Sequence, residues 1–116
     1  MKRKYGDYIE DIIDSINKIQ KFIRGVTYQR FVKDEKTIYA VIRAVEVIGE
    51  AAKNIPHSLR KKYPDIPWKD MAGMRDKLIH EYFGVKLDIV WNTVKNELPS
   101  LRDKFMKVLK YLEDNE

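Results

Sequence analysis

Cysteine is absent from the 116 residues, and that single absence removes disulfides, thiolate nucleophiles and zinc–sulfur sites together. Histidine is scarce as well, with two copies at positions 57 and 80. No apolar run approaches the roughly 18 residues of a membrane span. The opening "MKRKYGDYIEDI" has basic residues but no apolar segment behind them, so no secretory signal is expected. Strand-like alternation, glycine-rich phosphate loops and internal repeats are missing too. What remains is 44% apolar and 35% charged, enough to pack a core and stay in solution. The length fits one domain, residues 1–116, and a cytoplasmic protein is expected.

The net charge is +5 and unevenly spread. Residues 1–50 hold ten Lys/Arg against eight Asp/Glu, residues 51–86 eight against four, and residues 87–116 five against six. The excess therefore lies in the middle of the chain. It reads either as a surface that attracts phosphates or as a solvated, lysine-rich one.

Apolar spacing predicts helices throughout. Ile9, Ile12, Ile13, Ile16, Ile19 and Ile23 recur every three or four residues, with Asp7 as N-cap and Gly25 at the position after the C-cap. Asp7, Glu10, Asp11 and Asp14 crowd the first turns, where the helix dipole favours anions. Without a histidine beside them they read as a solvated face rather than a metal site. "TYQRFVKD" suggests a short helical turn. A second long helix starts near Asp34 and is apolar nearly all round, as expected of a helix buried on several faces. Its charged residues, Arg43, Glu46, Glu50 and Lys53, form one stripe, an exposed face or the wall of a cleft.

Pro56, Pro64 and Pro67 bracket a basic turn containing His57, read as a surface loop residue. A third helix opens at Pro67, carries Trp68, Met71, Met74 and Leu78, and ends by Tyr82, before Gly84. "LDIVWNTVKNEL" predicts a fourth, with Ile89, Val90, Val94 and Leu98 inward. Pro99 is expected to open a fifth, striped by Leu101, Phe105, Val108, Leu109 and Leu112. The expectation is an all-α, up-down bundle of four to five helices.

One stretch is unusual for such a helix. "MRDKLIHEYFGV" sets Arg75, His80 and Tyr82 among apolar residues. On an ideal helix Arg75 and His80 are about 140° apart, so they do not share a face, whereas Arg75 and Tyr82 nearly do. A turn after Ile79 would bring the imidazole toward the guanidinium. A group that grips phosphate beside a base titrating near neutral pH suffices for RNA strand cleavage without a metal. The plainer reading is a structural histidine near a helix end.

"RDKLIHEY" is Arg, four residues, His, one residue, Tyr, and it resembles the signature of the HEPN superfamily, in particular the HepT-like ribonuclease toxins. "VIGEAAKNIP", "IPWKDMAGMRDKLIHEYFGV" and "LDIVWNTVKNELPSLRDKF" extend the likeness from about Thr37 to Leu112. The resemblance implies a HEPN-type bundle that dimerises, with Arg75 and His80 as the catalytic pair and both copies of the motif lining one cleft. It implies Tyr82 as the acceptor of AMP from a cognate nucleotidyltransferase antitoxin of the MNT type, in a type VII toxin–antitoxin pair. Asp76 stands where that branch most often has asparagine, and Glu50 is a candidate accessory residue. The implied substrate is RNA, either tRNA or mRNA, with no cofactor, no metal and no membrane. The alternative is a catalytically silent helical partner that docks a nucleotidyltransferase and positions its substrate.

Overall fold

A computed structural model describes residues 3–80 and 86–115, with side chains for 3–74 and 86–115. Among these the chain is helical, with no strand. Helix α1 (Tyr5–Phe22) is followed by the single turn α2 (Tyr28–Phe31) and by α3 (Glu35–Lys53). The turn α4 (His57–Arg60) leads to α5 (Trp68–His80). Helices α6 (Leu87–Asn92) and α7 (Leu98–Asn115) are joined by a π-helical turn, Thr93–Glu97. The expected all-α bundle is what forms.

The six isoleucines of the α1 stripe are all buried, none more than 7% exposed. Isoleucine is an indifferent helix former, so burial rather than propensity holds α1, each side chain contributing roughly 1.5–3 kcal/mol. The N-cap is Lys4, three residues earlier than expected. Its N–H donates to the Asp7 carboxylate at 3.0 Å, while the Asp7 N–H donates to the Lys4 carbonyl at 3.0 Å. Asp7 thus acts from inside the first turn, as the third residue of a capping box does. Asp11 pairs with Arg3 at 2.8 Å, which raises the pKa of that guanidinium. The helix is capped at Ile23, and Gly25, two residues on, takes the left-handed conformation (φ 72°) that suits glycine.

Helix α3 starts where the sequence indicates. The Asp34 carboxylate accepts the Thr37 hydroxyl at 2.6 Å and the Thr37 N–H at 3.3 Å. Those bonds, the hydroxyl's first, hold its pKa below the usual carboxylate value. Val41, Ala44, Val45, Ile48, Ala51 and Ala52 are buried because α3 packs against α1 on one flank and α5 on the other. Burial is not complete all round: Tyr39 is 56% exposed. The Arg43–Glu50 stripe is largely exposed, with Arg43 and Glu46 3.3 Å apart. At the other end Arg60 donates from Nε to the Ile55 carbonyl at 2.9 Å and from Nη2 to the Ala52 carbonyl at 2.7 Å. These bonds tie α4 to the end of α3 and to the residue just beyond its cap.

Helix α7 lies along α1, and Arg102 donates from Nε to the Asn17 side chain at 2.7 Å. The rods α1, α3 and α5 and the α6–α7 helix thereby close around one core.

Two expectations about the last helices are corrected. Pro99 does not open a new helix, because the chain stays helical from Leu87 to Asn115. Proline cannot donate to the carbonyl four residues back, and its ring crowds that carbonyl. The π turn just upstream accommodates this, with the Leu98 N–H bonding to the Thr93 carbonyl five residues back. Ile89 points outward at 49% exposure, while Val90, Val94 and Leu98 are buried as expected. The adjacent Trp91 packs on Phe31 of α2, ring centroids 5.0 Å apart, which fixes the rotation of α6. His57 is exposed, as expected, but begins α4 rather than lying in a loop.

Candidate active site

Helix α5 carries the motif, and its position is set at its first turn. Trp68, 5% exposed, donates from its indole N–H to the Tyr63 carbonyl at 3.0 Å and meets the Phe105 ring edge-on. Met71 follows one turn later at 5% exposure, and Met74 is half-buried. The Met71 N–H bonds to the Pro67 carbonyl at 3.0 Å, so Pro67 stands at the helix entrance, as expected. Beyond this anchored turn the backbone continues helical to His80.

Arg75, Asp76 and His80 therefore all lie on α5. The helix does not turn away after Ile79, so the Arg75 and His80 positions are separated by about 140° around the axis. The side chains of Arg75, Asp76 and His80 lie outside the described residues, and Tyr82 does so entirely, as does Gly84, expected to end this helix. Glu50 is exposed on the last turn of α3, the helix packed along α5, and its carbonyl accepts the Asn54 amide at 2.9 Å. One helix thus carries three of the five candidates, and a neighbouring helix carries a fourth.

A cavity beside the motif helix was not expected from the sequence. It has a volume of about 450 Å³ between α3, α5 and the π turn. Ile48, Met71 and Met74 give it an apolar floor, and Asp70, Asn96 and Glu97 give it a polar rim. Met74 immediately precedes Arg75. No single stretch of the sequence marks it, because its walls come from three separate elements.

The described residues form an all-α bundle in which one helix, α5, carries both Arg75 and His80. The profile described as ribonuclease HepT-like matches residues 12–108, and the chain belongs to that family. It is 53% identical over 110 residues to "Probable ribonuclease HepT" of Thermococcus cleftensis, covering 95% of this chain and all of that one. A protein of Methanocaldococcus jannaschii named "Putative RNase" is 47% identical over 113 residues, 97% of each chain. A second protein of that name and organism is 46% identical over 112 residues, 97% of this chain and 93% of its own. No solved structure matches the chain significantly. No helix among the described residues is long and apolar enough to cross a membrane.

Proposed function

We propose that the protein is a metal-independent endoribonuclease in which His80 and Arg75 perform the chemistry. The observation that carries this reading is the continuous helix α5, anchored by Trp68 and bearing both residues, in a chain of the HepT-like ribonuclease family. His80 takes the proton of a ribose 2′-OH. The 2′ oxygen bonds to phosphorus as the bond from phosphorus to the 5′ oxygen breaks, leaving a 2′,3′-cyclic phosphate and a 5′-OH end. Arg75 neutralises the charge gathering on the phosphorane oxygens. The 5′ oxygen leaves with a proton from the histidine of a second copy, because a single imidazole that has just accepted a proton faces the wrong side of the phosphorus. That requirement favours a homodimer with both motifs on one cleft. It also suits two positions too far apart around one helix to act as a simple pair.

In the same reading the protein is the toxin of a toxin–antitoxin pair, silenced when a partner nucleotidyltransferase transfers AMP to Tyr82. Asp76 and Glu50 support the site by adjusting the charge around Arg75. Incubating the protein with RNA in the presence of EDTA and identifying cyclic phosphate ends tests the reaction. Cleavage that requires a divalent ion, or that leaves 3′-OH ends, overturns it.

A further inference from the structure

Four basic residues that this chemistry leaves unused gather at the opposite end of α5. His57, Arg60, Lys61 and Lys69 line an open depression of about 480 Å³, floored by Trp68. Among the described residues Asp70 is the one carboxylate in its lining, so there three permanent cations face one anion, a balance of +2 before His57 is counted. His57, Lys61 and Lys69 are exposed. Arg60 is half-buried and held by its two bonds to the carbonyls of Ile55 and Ala52, which use two of its five N–H donors. Trp68 is fixed by its bond to Tyr63 and its contact with Phe105. The depression therefore has a rigid floor, one prepositioned guanidinium and movable cations around the rim. A guanidinium gives directed, paired hydrogen bonds to phosphate oxygens, and ammonium groups add point charge.

Its place on the helix gives this cluster a meaning. Lys69 and His80 are eleven residues apart on α5, which puts them about 20° apart around the axis and about 16 Å apart along it. The depression and the His80 position thus lie on one line along one helix face.

We propose that this depression holds a backbone phosphate of the RNA strand being cut, a few nucleotides from the scissile bond, and so sets the spacing between anchor and cut. This rests on the nuclease reading for what happens at His80, though the anion site itself does not depend on it. A free nucleotide presents the same phosphate chemistry. The open shape and the alignment with His80 favour a strand running along the surface.

The test uses the full chain, fluorescence anisotropy and a labelled single-stranded RNA carrying 2′-O-methyl groups, which cannot be cut. The K61Q/K69Q protein is compared with K107Q/K110Q, which removes the same charge from exposed positions of α7. The anchor predicts at least a tenfold rise in Kd for K61Q/K69Q and a change of less than about threefold for the control. The slope of log affinity against log salt should fall by about one in the first protein only. Equal weakening by both pairs, or none by either, overturns the proposal. So does loss of ATP binding in K61Q/K69Q with RNA binding intact, which would mark a mononucleotide site. Unmodified RNA of the same sequence is incubated with the parent protein in parallel. If it stays uncut while K61Q/K69Q loses binding, the nuclease reading fails and the anchor stands.

Discussion

The rings of Trp68 and Phe105 meet edge-on, with centroids 5.5 Å apart and planes at 84°. This contact joins the first turn of α5 to the middle of α7 and so fixes the base of the helix on which the motif stands. Both rings are buried, Phe105 completely. Trp68→Ala should lower unfolding free energy by roughly 3–5 kcal/mol, a large part of the roughly 5–15 kcal/mol total typical of a small domain. Trp68→Phe keeps most of the apolar contact but loses the bond to Tyr63, and should cost less. Urea denaturation followed by circular dichroism measures both. Equal losses in the two variants would mean that the ring contact contributes little beyond the hydrogen bond.

The cap of α3 predicts a dependence on pH. Bonds from Thr37 depress the folded pKa of Asp34. A depressed carboxylate stabilises the fold above its unfolded pKa, and that contribution disappears as pH falls through the folded value. Asp34→Ala should lower the melting temperature by a few degrees at neutral pH, as loss of an N-cap does. The gap between variant and parent should narrow on acidification below about pH 4, near the unfolded aspartate value. A gap that stays constant down to strongly acidic pH would show that the carboxylate charge is not what caps α3.

How much of this was legible in the sequence depended on whether a feature was local. The isoleucine stripe of α1 and the Asp34 cap of α3 follow from spacing and from one short side chain, and both appear where expected. Pro99 was misleading because proline suits a first helical turn, while here a π turn upstream lets the helix run through it. Ile89 has the apolar character of a core residue, but Trp91 settles against Phe31 and turns α6 so that Ile89 faces out. The cavity beside Met74 depends on how α3, α5 and the π turn meet, which no single stretch encodes. The depression around Arg60 is lined by residues 57–70 alone, a stretch whose basic character is legible but whose folding around Trp68 is not. For the candidate site, the motif placed Arg75 and His80 on one helix, and α5 bears that out.

Tyr82 is the proposed off-switch. AMP joined to its hydroxyl would add a phosphodiester anion that competes with RNA for Arg75, together with a nucleoside that fills the entrance, the same charge logic as phosphorylation. Tyr82→Phe should cut RNA as the parent does and stay active after incubation with ATP and the partner nucleotidyltransferase. Intact mass spectrometry should show AMP adducts on the parent and none on the variant. Adducts at another tyrosine would remove Tyr82 from this role.

The proposed joint action of Arg75 and His80 on RNA is read from the single-turnover cleavage rate of His80→Ala and Arg75→Ala beside the parent protein, with circular dichroism showing all three folded and EDTA present throughout. His80→Ala should lose about 10²–10⁴-fold, the usual worth of a positioned general base. Arg75→Ala should show a comparable loss, of which Arg75→Lys recovers little because an ammonium cannot pair with two phosphate oxygens at once. Cleavage within a few-fold of the parent in a folded His80→Ala protein would contradict that joint action.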